Sequence, residues 1–411
     1  MSAAGDRDQR RMTATELVFD PFSEEFFNGA WETYRRMREE APVYYNPEHD
    51  FYALSRHEDV AAAYKDFETY SSAYGLDLST VRSEEPLMAK MIIMMDPPEH
   101  RQMRSLVNKV FTPRAIEALR PMVTATIDRY LPVDCDTFDV VQDFSALFPV
   151  QVITQMLGVP EEYRHQVGEW VDTSLRREPG QIDMSNEGMQ AVAELMGLYY
   201  RIIQERRAEP RDDMFSRLVA AEIVREDGEK QSLDDFEIAG FATLLGGAGA
   251  ETVTKLVGNA AVTFARNPDQ WQKLLDDRSR IPAAVEELLR YEAPNQYNVR
   301  RSMKDIELHG VTIPEGKPVF LLAGSANRDP DAFTDADTFD IDRDRTEAQN
   351  LGFGYGVHSC LSAALARMES AIALERLLDF MPRYEVNFDE CTRVSAQNVA
   401  GWSSVPVRVL R

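Results

Sequence analysis

One cysteine of this chain lies where an anionic sulfur would be stabilised. The segment Gly352-Phe-Gly-Tyr-Gly-Val-His-Ser-Cys-Leu-Ser-Ala-Ala-Leu-Ala-Arg367 is a glycine-rich loop entering a helical pattern, with Cys360 at the junction. Backbone N–H groups and the positive dipole end of a helix N-terminus favour a thiolate there. Such a cysteine can be a nucleophile, with His358 as the nearby base, or a metal ligand. A buried, inert thiol is the third possibility. Cys135 and Cys391 form no CxxC spacing with it, which argues for a reducing compartment and against a zinc cluster or a disulfide framework.

A second unusual stretch, Leu244-Leu-Gly-Gly-Ala-Gly-Ala-Glu-Thr252, falls inside the longest helical pattern. That helix is expected to open at Ser232, whose spacing to Asp235 resembles a capping box, and to run to Arg266 before Asn267-Pro268. At 1.5 Å per residue it spans roughly 50 Å. Each glycine in its centre costs about 1 kcal/mol relative to alanine. Close packing against a neighbour, or a flat ligand against the backbone, would compensate.

The elements around these two stretches are mostly helical, as in Arg114-Ala-Ile-Glu-Ala-Leu-Arg120 and in the helix from Pro282 to before Pro294. Strand-like runs occur at Asp50–Ser55, at Ile306 to Leu321 and at Ser404–Arg411. The early strands, the 295–325 region and the C-terminus are expected to combine into one discontinuous β-rich lobe. No Ser/Gly linker divides the chain, so we expect a flexible tail over residues 1–15 and a single domain over 16–411.

The 411 residues carry 45 Lys+Arg against 69 Asp+Glu, a net charge of −24, which disfavours nucleic acid and anionic membrane surfaces as partners. At 44% hydrophobic and 28% charged, the composition is that of a globular protein. No window approaches the ~18 apolar residues of a membrane span, and charges occupy the place of a signal-peptide core. A cytoplasmic protein without a membrane anchor is expected.

The run Phe353-Gly-Tyr-Gly-Val-His-Ser-Cys360, with Leu361 and Leu365-Ala-Arg367, resembles the haem-binding loop of cytochrome P-450. The resemblance covers about residue 15 to the C-terminus and implies that family's fold, mainly α with a small β-rich lobe. It also implies haem b (iron protoporphyrin IX) with Cys360 as the iron ligand and Phe353, Gly354 and Ala366 beside the porphyrin. An axial thiolate is known to push electron density that favours O–O cleavage. The family usually has glycine two residues after the cysteine, where this chain has Ser362.

Further motifs match the same family. Glu287-Leu-Leu-Arg290 resembles its Glu-x-x-Arg pair, whose spacing places both side chains on one helical face, and Arg343 corresponds to the third member of that structural triad. Taken alone, such a pair would be a surface ion pair of little worth. Ala248-Gly-Ala-Glu-Thr252 resembles the oxygen-activation motif. Ala248 would leave room above the haem, Thr252 would hydrogen-bond dioxygen or an ordered water, and Glu251 would relay protons. His100 and Arg104, four residues apart on a helical face, resemble the propionate-binding helix, with Arg300 and His358 completing the set and Arg301 competing with Arg300.

From His100 to Arg114 the chain has Arg101, Arg104, Lys109 and Arg114 and no acid. This local basic stretch is expected to help dock a ferredoxin or flavodoxin-type donor, bringing electrons from NAD(P)H through a separate reductase. Met88, Met91, Met94 and Met95, with Ile92 and Ile93, suit an adaptable apolar wall, with core packing as the competing reading. The resemblance adds Leu244, Ala248, Asn295, Tyr297, Val299 and Trp402 to a substrate pocket, and residues 163–200 as a lid. The implied activity is a monooxygenase that uses O2 to hydroxylate or epoxidise an apolar substrate such as a terpenoid, fatty acid or steroid. A peroxygenase, against which Glu251-Thr252 argues, and a haem protein that binds ligand without turnover are the alternatives.

Overall fold

The computed structural model describes residues 17–411 except 87–90, 109–110, 225–229, 395 and 397. The expected tail, Met88 and Lys109 therefore lie outside the described residues.

The long helix, Asp235–Arg266, organises the helical part. Every residue from Val253 to Phe264 is buried, as expected of a helix surrounded on all sides. Its neighbours are the helices Phe148–Leu157, Asn186–Ala208 and Ala363–Phe380 and the π-helical turn Val140–Ser145. The cap differs from the sequence expectation. Asp234 accepts from the Glu237 N–H at 2.7 Å, while the Glu237 carboxylate accepts from the Asp234 N–H at 2.9 Å. Ser232 is instead the last residue of the strand Lys230–Ser232, which pairs with Glu222–Val224. Its backbone is committed to that ladder, so the capping box forms two residues further on.

The β-rich lobe holds a five-stranded sheet in the order Val43–Asn46, Phe51–Leu54, Pro318–Leu321, Asn298–Ser302, Tyr70–Ser71. Pro318–Leu321 runs parallel to Phe51–Leu54 and antiparallel to Asn298–Ser302, with Arg300 opposite Val319. The C-terminal strand does not join this lobe. Pro406–Val409 pairs with Tyr384–Val386 and Thr137–Asp139 in a separate three-stranded sheet. The reason is burial: Val405, Val407 and Phe138 pack into the core around the long helix, not into the lobe's own clusters. Among the described residues, no helix is long and apolar enough to cross a membrane.

Candidate active site

The loop before Cys360 is held by backbone geometry that its glycines permit. Gly354 and Gly356 have φ of 66° and 71°, the left-handed region that side chains rarely adopt. A Cβ on Gly356 would also lie 2.5 Å from the Tyr64 carbonyl oxygen. The loop then closes on itself as the Cys360 N–H donates to the Phe353 carbonyl at 2.8 Å. Cys360 stands three residues before the helix Ala363–Phe380, as the spacing predicts, and is partly buried.

Cys360 opens onto a cavity of about 900 Å³. The cavity brings together Phe353, Gly354, His358, Cys360 and Ala366 from the loop and its helix with Leu244, Ala248, Glu251 and Thr252 from the long helix. His100, Arg104 and Arg300 border it, as do Met91, Met94, Asn295 and Val299. Two predicted pocket residues lie elsewhere. Tyr297 is buried in an aromatic cluster, with its ring 5.7 Å from Phe26 and 4.9 Å from Phe320. Asn298, Val299 and Arg300 of the strand Asn298–Ser302 reach the cavity, whereas Tyr297, just before that strand, turns into the aromatic cluster. Trp402 stacks under the Arg393 guanidinium at 4.0 Å and touches the long helix near Gly258, outside the cavity lining. Met95 is buried beside the lining.

The glycines of the long helix combine both expected reasons. A Cβ at Gly246 would come within 3.1 Å of the Tyr199 hydroxyl, a close helix contact, whereas Gly247 meets nothing within 4 Å and borders the cavity. The Thr252 hydroxyl donates to the Ala248 carbonyl at 2.9 Å. Glu251 is paired with Lys255 at 2.8 Å, with side chains only 12% and 5% exposed, a partner the sequence reading did not name.

At the other side of the loop, cationic and imidazole groups converge. Arg104 donates to the Ser359 carbonyl at 2.7 Å, and the rings of His100 and His358 lie 4.3 Å apart. Both ring nitrogens of His100, and Nε2 of His358, are buried without a hydrogen-bond partner among the described residues. Burial, reinforced by the nearby Arg104, pushes His100 down to about 4. Burial, with Arg300 and His100 adding to it, pushes His358 down to about 2. Burial also works against the Arg300 charge, while Tyr64 and Asp96 favour it. Arg301 takes no part: it donates to the Val81 and Ser83 carbonyls and stacks over Tyr74 at 4.3 Å. The strand's alternation therefore decides between the two arginines. Arg104 is turned inward, so it does not belong to an exposed basic face with Arg101 and Arg114.

Glu287, Arg290 and Arg343 lie outside the cavity. Glu287 accepts two bonds from Arg290, each 2.8 Å, and one from Arg343 at 3.2 Å, all with side chains no more than 8% exposed.

Sequence reading missed Glu369. It lies on the cysteine helix, is 2% exposed, borders the cavity and has an unpartnered Oε2. Its signal was available: Glu369 falls three and four residues from the apolar pairs Leu365, Ala366 and Ile372, Ala373, the buried face of that helix. Burial holds its carboxyl well above the usual carboxylate range. The folded chain thus keeps a proton that the unfolded chain releases above its ordinary pKa of about 4.3. The group's contribution to stability is fully present below that value and falls as pH rises towards the folded pKa. We expect Glu369→Gln, which cannot titrate, to gain stability relative to the wild type between about pH 5 and about pH 8 in urea unfolding. A difference that does not change with pH would refute this assignment.

Comparison with known proteins gives the following. The family model described as Cytochrome P450 matches residues 27–397. The chain is similar to a putative cytochrome P450 123 of Mycobacterium tuberculosis, 40% identical over 402 residues, which are 97% of this chain and 98% of the relative. It is also similar to an erythromycin C-12 hydroxylase of Saccharopolyspora erythraea, 37% identical over 90% of this chain and 92% of the relative. Among solved structures, CYP109E1 of Bacillus megaterium in complex with testosterone superposes with a TM-score of 0.85, at 33% identity over 94% of this chain and 99% of that one.

Proposed function

The chain belongs to the cytochrome P450 family and is a haem-dependent monooxygenase, and from that premise we propose that it oxidises an apolar small organic molecule within the single domain formed by residues 16–411. The overall reaction combines substrate, O2, two electrons and two protons, and yields the hydroxylated or epoxidised product and water. The observation that carries this reading is one cavity shared by the Cys360 sulfur, the Ala248–Thr252 turn and the His100, Arg104, Arg300, His358 cluster.

The residues present fit haem. Two arginines and two imidazoles with unpartnered buried nitrogens suit the two propionates of a porphyrin, which would offer acceptors and negative charge. Cys360 would ligate the iron, with Phe353, Gly354, Ala366 and Ala248 against the ring. When bound, the haem supplies the redox chemistry that activates dioxygen. The chain's own groups handle protons. Glu251, held by Lys255, takes protons from the solvent side, and the Thr252 hydroxyl, now donating to the Ala248 carbonyl, passes them into the cavity. The triad Glu287, Arg290, Arg343 holds the segment that leads into the cysteine loop.

Met91, Met94, Leu244 and Val299 make that part of the cavity wall apolar, which supports a lipid-like substrate such as a steroid, terpenoid or fatty acid. The similar structure solved in complex with testosterone supports a ligand of this class. Electrons would come from a ferredoxin or flavodoxin-type donor, supplied by NAD(P)H through a separate reductase. The exposed Arg101 and Arg114 are its candidate contacts in this acidic chain.

The test is turnover under ¹⁸O₂ with a surrogate ferredoxin and reductase, on compounds from these three classes that first perturb the haem spectrum. One ¹⁸O atom per product molecule is expected. Spectral binding across the panel without any oxygenated product would overturn the monooxygenase reading in favour of ligand binding without turnover, and product formed with hydrogen peroxide but not with O2 and the donor would favour a peroxygenase.

A further inference from the structure

Resting on the haem-thiolate reading above, we propose that the Ser362 hydroxyl donates a hydrogen bond to the Cys360 sulfur and thereby tunes the reduction potential of the haem iron. Ser362 Oγ lies 3.6 Å from Cys360 Sγ. Sulfur is larger than oxygen, so O–H···S contacts are several tenths of an ångström longer than O–H···O contacts. A metal-bound thiolate has no proton to give, which makes the serine the donor.

The direction of this hydroxyl is not incidental to helix capping. Ser362 immediately precedes the helix Ala363–Phe380, where a serine ordinarily accepts a bond from a backbone N–H of the first turn. Ser23, Thr112 and Ser185 do so in this chain, each with an extended backbone of ψ between 151° and 163°. Ser362 has ψ of 14° and makes no side-chain cap. Its hydroxyl is turned to the sulfur instead. The Cys360 N–H is already spent on the Phe353 carbonyl, so it does not serve the sulfur. The glycine that usually stands two residues after the cysteine could offer no such donor.

A donor to the ligating sulfur withdraws some of the charge that the sulfur would otherwise give the metal, and hydrogen bonds of this kind are a recognised lever on metal-site potentials. The reduced iron leaves more negative charge on sulfur than the oxidised iron. The bond is therefore stronger in the ferrous state, and it raises the potential.

The experiment is a spectroelectrochemical titration of the holoprotein, wild type against Ser362→Ala, Ser362→Gly and Ser362→Thr, with the iron–sulfur stretch followed by resonance Raman. In the alanine and glycine variants the ferric–ferrous equilibrium should move towards ferric by about five- to tenfold, which is ~40–60 mV at 59 mV per decade for one electron. Their iron–sulfur stretch should rise in frequency. Threonine keeps the hydroxyl and should stay within about twofold of wild type. Agreement between alanine and glycine separates loss of the hydroxyl from any change in helix propensity. Unchanged potentials in both, with the thiolate-type Soret band of the reduced carbon monoxide complex intact, would overturn the tuning role and leave the family assignment standing. A wild-type protein lacking that band would overturn both.

Discussion

Cys360→Ser is expected to abolish the red-shifted Soret band of the reduced carbon monoxide complex and, with it, all monooxygenation. The sulfur stands where the loop enters the helix Ala363–Phe380, so the dipole and free N–H groups of that terminus favour an anion there. A serine hydroxyl is similar in size but keeps its proton at neutral pH, so the same geometry no longer presents an anionic ligand. The neighbouring loop does not depend on sulfur: Gly354, Gly356 and the bond from residue 360 N–H to the Phe353 carbonyl are backbone features. Folding should therefore survive while the axial thiolate is lost. The check is the absorption spectrum of dithionite-reduced protein under carbon monoxide, with far-UV circular dichroism to confirm the fold. An unchanged red-shifted band in the serine variant would mean that Cys360 is not the iron ligand, and the proposed chemistry would have to be rebuilt around another group.

Glu287→Ala should destabilise the protein by about 3–5 kcal/mol, the cost typical of leaving one partner of a buried ion pair alone. The Arg290 guanidinium is 2% exposed, and it also donates to the carbonyls of Asn327, Ala336 and Thr338 at 2.8, 2.7 and 3.0 Å. Arg343 is tied to the carbonyls of Thr334, Asp335 and Thr338. The two arginines thus bind the segment from residue 327 to 343, and Glu287 holds both; it also accepts from the Asp340 N–H at 3.1 Å. Removing the carboxylate leaves the buried Arg290 without its counter-ion, next to Arg343, which keeps Glu347 at 3.6 Å. Replacing Glu287 and Arg290 together with apolar residues would not restore stability, because the Asn327 and Ala336 carbonyls would lose the donor that Arg290 gives them. Urea unfolding of the purified variant should show the loss, accompanied by poor haem retention. A midpoint within experimental error of wild type would show that the triad does not hold this segment.

These two cases differ in how far the sequence alone revealed them. The cysteine site is local: a glycine-rich loop, a histidine two residues earlier and a helix start all lie within sixteen consecutive residues. The triad was legible only in part. A spacing of three puts Glu287 and Arg290 on one face, yet the same spacing describes exposed pairs such as Glu117 and Arg120. Burial separates the two cases, and burial comes from a loop more than thirty residues away. The helix cap illustrates the same limit on a smaller scale, since Ser232 and Asp234 both suit a cap and the strand pairing of Ser232 chose between them.

The sequence by itself determined the chemistry that this protein can carry, because thiolate placement, the acid–alcohol pair and the histidine–arginine helix depend on residue type and on spacing within one turn or loop. Tertiary structure alone decided which of those groups meet. It turned Arg300 rather than Arg301 into the cavity and sent Tyr297 to an aromatic cluster. It also paired Glu251 with Lys255, buried the Glu369 carboxyl and aimed the Ser362 hydroxyl at sulfur. Each of these outcomes turns on the direction of a side chain or on its distance from water. Both are set by neighbours that are far away in the chain and close in space.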